Sequence, residues 1–235
     1  MWVKASRKLI VEIMEIARRE LCGVGMRKRT GEIYTSELNE ETLGRVGLNR
    51  AVERGDGMLE INPVIGVRNQ RLERTLADIE DEKFHPYIPS STRIHLGYLM
   101  PKQDYVPWLF AEGEDNTVKV KDMVAAIMEY GKPFMEANTT LEALCKTMAH
   151  SKHDIPEQTA YRLPVSYFLM GKTDKARKYL AHQLKQLGNR TDLAAQEYRR
   201  FAAKFSKSVP LFLYDSRWAI HRNSADGCCE IDAHP

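Results

Sequence analysis

The 235-residue sequence lacks long apolar runs, paired cysteine motifs and a recognisable leader. No apolar run approaches the roughly 20 residues that a helix needs to span a bilayer. The N-terminus has neither an uninterrupted apolar core nor a small-residue cleavage site, so it does not match a signal peptide. The four cysteines include no Cys-x-x-Cys pair, and such usage suits a reducing compartment. These absences predict a soluble cytoplasmic protein.

The short signatures of common catalytic sites are also missing. Gly23-Val24-Gly25 is followed by Met26 and charged residues rather than by a helix, and Gly55-Asp56-Gly57 is typical of a hairpin turn, so neither matches a nucleotide-binding fingerprint. There is no Gly-x-Ser-x-Gly elbow and no His-Glu-x-x-His helix. Cys22 and Cys145 lie among apolar residues, which predicts buried and unreactive thiols. The sequence therefore predicts no cofactor and favours binding over catalysis.

Neither sign of charge dominates. The 35 Lys+Arg residues exceed the 32 Asp+Glu residues by only three, which is too weak an excess to favour nucleic acid as the partner. The excess is uneven: residues 1–116 hold 17 basic and 19 acidic residues, whereas residues 117–235 hold 18 and 13. We interpret the basic bias of the second part as a solvated helical face.

The first part of the chain alternates between helix and strand patterns. Apolar residues recur at helical spacing in two segments, and period-two runs around glycine turns predict two hairpins. Pro63 cannot donate a ladder hydrogen bond, so its strand is predicted at an edge or a bulge. The predicted elements are a helix over 6–22, hairpins over 24–38 and 43–67, a helix after Arg68 that ends at residues 80–82, and a strand over 92–100.

The second part predicts helices almost throughout. Gly131 and Pro133 interrupt the first of them, which predicts a break or a kink, and Thr140 is a candidate N-cap for the next. Residues 209–216 predict a final short strand. The fold class is thus α+β: a mostly antiparallel sheet with flanking helices in residues 1–116, a helical part packed on it in residues 117–215, and a polar, fraying tail in residues 216–235.

One candidate partner contact is aromatic. Tyr105, Trp108 and Phe110 follow a predicted strand and precede acidic residues, and aromatic residues beside acids are common in protein-binding patches. The alternative is a loop whose tryptophan covers the core of the sheet.

A second candidate contact is basic. Arg68, Arg71 and Arg74 fall on one side of the helix that follows Arg68, away from its leucines, and they are predicted at the rim of an interface. The alternative is a strand that leads into an ordinary surface helix.

Histidines supply the candidate catalytic or metal sites. His150 and His153, with Asp154 adjacent, have the spacing of a helical metal pair, but no third ligand follows from the sequence. A solvated helix end is the preferred interpretation, and no metal is predicted. His95 is predicted on the strand face opposite the apolar one. If the protein is an enzyme, His95 is the candidate catalytic histidine. The acidic triplet at residues 80–82 is interpreted as a helix exit rather than an acid–base site.

Two stretches resemble known proteins. YFLMGKTDKARKYLAHQL, residues 167–184, resembles one tetratricopeptide-like helical hairpin with Gly171 in its turn and Ala176 where the helices cross. The longer order of helix, two hairpins, helix and strand, with NPVIGVR, IHLGYLMP, WLF and YGKPFMEANTTLEAL, is similar to small bacterial proteins of unknown function. Several such families occur beside polymorphic toxins and are assigned as immunity proteins. The resemblance implies occlusion of a toxin, although the basic charge departs from the acidity of many nuclease inhibitors.

The sequence as a whole predicts a non-catalytic protein that binds another protein, with a toxin as the partner that the resemblance implies. Two alternatives stay open. One is an enzyme with a pocket between the sheet and the helices that uses a histidine such as His95. The other is a nucleic-acid-associated factor that uses the basic second part. No membrane association is predicted, and the oligomeric state does not follow from the sequence.

Overall fold

The computed structural model describes residues 4–51, 56–151 and 156–212, which form an antiparallel sheet and a set of helices. The predicted α+β class is confirmed. A 3₁₀ turn over Leu96–Leu99 follows the fifth strand, and a π-helical segment over Ile127–Gly131 joins two of the helices. The strands are β1 (Arg27–Lys28), β2 (Ile33–Glu37), β3 (Thr42–Ala51), β4 (Leu59–Asn69), β5 (Thr92–His95) and β6 (Trp108–Phe110). The helices are α1 (Arg7–Gly23), α2 (Gln70–Glu80), α3 (Asn116–Ala126), α4 (Lys132–Ala137), α5 (Leu141–His150), α6 (Pro156–Leu169), α7 (Thr173–Leu187) and α8 (Leu193–Phe212).

The sheet has the order β1-β2-β3-β4-β5, and β6 pairs with β4 beyond the end of β5. Both predicted hairpins are present, as β1–β2 and β3–β4. The prediction that the strand of Pro63 lies at an edge or is bulged there was wrong, because β4 is central and its register with β3 is continuous through Pro63. Pro63 instead lies between Ile61, which pairs with β6, and Val64, which pairs with β5. A residue without an N–H is tolerated at this interruption of the ladder.

One face of the sheet is apolar and packs against helices. Because side chains alternate along a strand, Val46 and Ile65 lie side by side on this face, and both are fully buried. Gly131 of the π segment lies so close that a Cβ there would be 2.9 Å from Ile65 Cδ1. Glycine therefore lets the break predicted at residues 131–133 approach the sheet as a π segment.

Side-chain caps explain where several helices begin. Ser6 Oγ accepts from Leu9 N at 3.1 Å before α1, and Asn69 Oδ1 accepts from Leu72 N at 2.8 Å before α2. Thr140, the predicted cap of α5, accepts from the amide of Ala143. Each cap satisfies an N–H of the first turn that has no partner within the helix. The helices predicted at these three places are confirmed.

Two predicted strands differ from the structure. The strand predicted over residues 92–100 ends at His95 and continues as the 3₁₀ turn, because Gly97 lies against a neighbouring backbone. Residues 209–212 belong to α8 rather than to a strand. The rest of that predicted strand, residues 213–216, and the predicted tail, residues 216–235, lie outside the described residues.

The helical part packs on the first part of the chain through several elements. Helix α2 contacts α6 and α8, and α5 contacts β5. Helices α6 and α7 form the hairpin that the tetratricopeptide-like stretch suggested, with Gly171 at φ +76° in the turn and Ala176 fully buried. Among the helices of the described ranges, none combines the length and the apolarity that crossing a bilayer requires.

Candidate functional site

The other face of the sheet is mostly polar, and two loops pass over it; we call it the loop face. The loops are residues 81–91, whose Ser90 contacts Arg45 of β3, and residues 100–107, whose Tyr105 contacts Glu60 of β4. The strand register places the following residues on the loop face: Ile33, Thr35, Glu37, Leu43, Arg45, Gly47, Asn49, Glu60, Asn62, Val64, Gly66, Arg68, Arg93 and His95.

Arg45 lies at the centre of the loop face. It pairs with Thr35 of β2 on one side and with Gly66 of β4 on the other, and Gly66 pairs with Arg93 of β5. Because neighbouring strands lie about 4.8 Å apart, Arg45 and Arg93 are separated by about 10 Å at their backbones. Gly66 has no side chain, so nothing from β4 stands between the two arginines.

The Arg45 guanidinium has a hydroxyl partner but no carboxylate partner within the described residues. Its Nη1 donates to Ser90 Oγ at 3.2 Å, and its Nε is buried without a hydrogen-bond partner. Burial, and then the positive charge of Arg93, lower the pKa of Arg45. A half-buried cation without an anion is a costly arrangement, and it is the main chemical feature of this face.

Two glycines form the floor beneath these groups. A Cβ at Gly66 would lie 2.5 Å from Ser90 Oγ and 3.0 Å from the carbonyl oxygen of Thr92. A Cβ at Gly47 would lie 3.6 Å from Arg45 Nη1, which is an ordinary contact. Only Gly66 is therefore required for the close approach of the loop to the sheet.

We expect Gly66→Ala to lower the free energy of unfolding by about 1–3 kcal/mol, the usual cost of overpacking, because Ser90 and the backbone of Thr92 must shift. Gly47→Ala is the matched control, and it should change stability by less than about 0.5 kcal/mol, because its added Cβ would make only ordinary van der Waals contacts. Urea denaturation of both variants measures the difference. Equal effects of the two substitutions would show that the loop does not depend on Gly66.

A second arginine joins the loop to the sheet. Arg29 Nε donates to Thr35 Oγ1 at 2.9 Å, and its guanidinium carbon lies 4.1 Å from the centroid of the Tyr87 ring. This is the geometry of a cation–π contact. Arg29 thus covers one side of Tyr87 and adds a positive charge beside Thr35, the β2 residue that pairs with Arg45.

A buried ionic network holds the loop of residues 81–91 in place. Arg162 of α6 binds Glu73 of α2 through two hydrogen bonds, Nε to Oε1 at 2.7 Å and Nη2 to Oε2 at 3.0 Å. Ser91 Oγ donates to the same Oε1 at 2.7 Å, and Arg68 Nη1 lies 3.6 Å from Oε2. All four residues are buried. One carboxylate therefore joins the sheet, α2, the loop and the helical part.

Arg68 is the part of this network that reaches along the loop. Its Nη1 donates to the carbonyl of Pro89 and its Nη2 to the carbonyl of His85. Its Nε donates to Gln70 Oε1 at 3.3 Å. Burial lowers the pKa of Arg68 to about 10, and the charge of Glu73 opposes that shift. Arg68 thus fastens the segment that presents Tyr87 and Ser90.

The structure corrects the expected role of Arg68. Only 1% of its surface is exposed, so it cannot lie at the rim of an interface, and it contacts the protein's own loop instead. Arg74 is exposed and lies over Phe84, with 4.6 Å from its guanidinium carbon to the ring centroid. Arg71 is half-buried. The three arginines therefore do not form one surface.

The aromatic candidates also separate. Trp108 and Phe110 lie in β6, where they are 8% and 0% exposed, and Trp108 Nε1 donates to Asp122 Oδ2 of α3 at 2.8 Å. The tryptophan thus covers the core, as the alternative interpretation held, and it is not an exposed anchor. Tyr105 is 48% exposed on the loop face, with its hydroxyl 2.5 Å from Glu60 Oε1.

His95 does not lie where the enzymatic alternative needs it. It points to the loop face, with its ring centroid 6.4 Å from that of Tyr98 and 6.2 Å from that of Tyr105. A cavity of about 320 Å³ lies between the sheet and the helices; its lining includes Met26, Met128 and Met135 and contains no histidine or cysteine. A second cavity, of about 370 Å³, lies beside β5 and α5; His150 lines it, but no carboxylate does.

The remaining candidate groups are dispersed. His150 is exposed, and its Nδ1 lies 2.8 Å from the carbonyl oxygen of Lys146; His153 and Asp154 lie outside the described residues. Across the described ranges, no three His, Cys, Asp or Glu side chains are grouped as a metal would require. Cys145 is buried, and burial raises the pKa of its thiol to about 11. The prediction for Cys22 was wrong, because it is exposed.

Arg45 and Ser90 were not among the site residues predicted from the sequence. The available signal was Gly44-Arg45-Val46-Gly47, an arginine between two glycines inside a strand, because glycine in a strand marks the close approach of another group. The comparisons do not add a relative: neither family models nor curated proteins nor solved structures gave a match to this chain. The fold and the geometry of the loop face are therefore the evidence on function.

Proposed function

We propose that this protein is a non-catalytic protein-binding protein and that its partner docks on the loop face. The observation that supports the proposal best is Arg45, a half-buried guanidinium that contacts a hydroxyl but no carboxylate among the described residues. Proteins seldom keep a desolvated cation without an anion unless a binding partner supplies it.

The composition of the loop face supports the same proposal. Arginine and tyrosine are enriched at the centres of protein interfaces, and this face carries Arg29, Arg45 and Arg93 together with Tyr87 and Tyr105. The loop that carries Tyr87 is held by the buried network, so the surface is largely formed before a partner arrives. Preformed surfaces lose less conformational entropy on binding.

Nucleic acid is less well supported as the ligand. Bases stack on open aromatic ring faces, whereas one face of Tyr87 is covered by Arg29. In the basic helical part, Arg199 donates to the carbonyls of Gly188 and Arg190 at 2.8 and 2.7 Å and so stabilises the end of α7. Its neighbour Tyr198 is buried. These groups are used in packing rather than presented to a polyanion.

A toxin is the partner that the resemblance of the sequence implies, and occlusion of its site is the specific form of the proposal. Such a role would place the protein in the cytoplasm, which agrees with the absence of a Cys-x-x-Cys pair from the sequence. The product of a neighbouring gene is therefore the first partner to test.

The test compares two exposed apolar side chains on different surfaces. Tyr105→Ala removes an aromatic side chain from the loop face, whereas Leu193→Ala removes an aliphatic side chain from α8, where it is 67% exposed. We expect Tyr105→Ala to weaken binding of the purified partner by about 10- to 100-fold, as truncation of interface tyrosines does, and Leu193→Ala to change it less than twofold. Calorimetric titration of the purified pair measures both.

Circular dichroism and thermal melting establish that both variants are folded. Equal dissociation constants for wild type and Tyr105→Ala, or weaker binding by Leu193→Ala alone, would overturn the assignment of the loop face. Binding of single-stranded RNA or DNA in preference to any protein, with steep salt dependence, would overturn the choice of a protein partner.

A further inference from the structure

We propose that Arg45, Arg93 and Ser90 form a binding site for an oxyanion, either a carboxylate or a phosphate group. The inference deepens the proposed function, and it rests on it, because it names the chemical group that a partner presents to the loop face. The site lies where β3, β4 and β5 run side by side beneath the loop of residues 81–91.

The position of Arg45 leaves part of its guanidinium able to donate hydrogen bonds. Its guanidinium lies over Gly47, with a hypothetical Cβ there 3.6 Å from Nη1 and 3.8 Å from Nη2. Nη1 donates to Ser90 Oγ, and the buried Nε has no partner. A guanidinium binds carboxylate or phosphate through two parallel N–H donors. Arg45 therefore still has donors for an oxyanion.

The charged residues around Arg45 are mainly positive. Arg93 lies one strand beyond Gly66 and is close enough to lower the pKa of Arg45. Arg29 adds a further positive charge beside Thr35. Two acids of the described residues on this face have partners of their own: Glu37 pairs with Arg27 at 3.0 Å, and Glu60 accepts from Tyr105. The local field is positive and attracts an anion.

Ser90 completes the site and orients it. It is 4% exposed, and its hydroxyl lies over Gly66, where a Cβ would be 2.5 Å away. A hydroxyl both donates and accepts, so Ser90 can accept from Arg45 while its own proton turns toward an anion. The bound group then has donors from two different elements, the strand β3 and the loop.

The experiment follows the Arg45 Nε–Hε resonance of the full chain by NMR during titration with three sodium salts at equal ionic strength. The probes are inorganic phosphate, acetate and chloride. We expect a saturable shift with phosphate or acetate and none with chloride, and the two oxyanion arms distinguish a phosphorylated ligand from a carboxylate ligand. The Arg45→Gln variant lacks the Arg45 Nε–Hε resonance and so identifies it. The same variant should bind the oxyanion at least tenfold more weakly, as measured from the shifts of other resonances on the loop face.

Arg50→Gln is the matched control, because Arg50 is an exposed arginine of the same strand that pairs with Glu32 at 3.6 Å. It should leave the affinity within twofold. Ser90→Ala should weaken binding without removing a charge. The wild-type titration needs no variant to fold, so a linear shift, or an equal shift with chloride, overturns the site by itself. The two proposals can fail separately. If the anion titration saturates but Tyr105→Ala does not change the affinity for the partner, the anion site stands and the docking of a protein on this face is rejected.

Discussion

Replacing Glu73 with glutamine should lower the free energy of unfolding by about 3–5 kcal/mol, the usual cost of removing one member of a buried ion pair. The carboxylate serves Arg162 through two hydrogen bonds, Ser91 through a third, and Arg68 through charge. Glutamine keeps the shape but leaves two buried arginines with no carboxylate between them. Urea denaturation, read by far-UV circular dichroism, measures the loss.

The control for this prediction lies one turn and a half along the same helix. Asp78 is exposed on α2, and Asp78→Asn removes the same charge at a solvated position, so it should cost less than about 0.5 kcal/mol. Arg162→Gln in the Glu73→Gln background should cost less than it does in the wild type, because the pair is already broken. A loss below about 1 kcal/mol for Glu73→Gln would show that water reaches the network and satisfies the arginines.

A second large effect is expected at Gly97, where alanine should destabilise the protein by about 3 kcal/mol, near the upper end of overpacking costs. The added Cβ would lie 2.2 Å from the carbonyl oxygen of Asp104 and 2.7 Å from the amide nitrogen of Val106. Both are backbone atoms, so no side chain can rotate out of the way. The loop of residues 100–107 must move away, and Tyr105 with it.

Hydrogen–deuterium exchange with peptide resolution measures this displacement, because the amides of residues 100–107 should exchange faster in Gly97→Ala. Gly23→Ala is the matched control: no heavy atom lies within 4 Å of the added Cβ, and alanine is the better helix former at the end of α1. It should leave stability unchanged or slightly higher. Unchanged exchange in the loop of Gly97→Ala would show that the 3₁₀ turn adjusts without cost.

The parts of the fold that local patterns determine could be predicted. The apolar stripe of α1, the hairpin β3–β4 and the N-cap at Thr140 each depend on residues within a few positions of one another, so propensity and packing agree. The strand predicted over residues 92–100 was partly wrong for a non-local reason. Its alternation is real, but Gly97 packs against backbone that arrives later in the chain.

The candidate site was harder to predict, because its contacts join distant segments. Arg68 has the spacing of a surface helix residue, and only its position beneath the loop shows that it is buried. Glu73 and Arg162 are 89 residues apart, and no residue near either one in the sequence indicates that the two side chains form a pair. Trp108 was expected in a loop, yet its pairing with Ile61 makes it part of the sheet. Burial of a charged or aromatic side chain follows from the fold and not from its neighbours in sequence.

The bond between Glu73 and Arg162 also bears on how this chain can vary. Residue 73 belongs to the first part of the sequence and residue 162 to the second, so the two halves are not modules that can be exchanged freely. If two diverged copies recombined between α3 and α6, the hybrid would take residue 73 from one parent and residue 162 from the other. The carboxylate at position 73 would then face a residue that did not evolve with it. Natural variants at these two positions should therefore arise as compensated pairs, and a hybrid of two diverged copies would inherit an unmatched charge under the loop face.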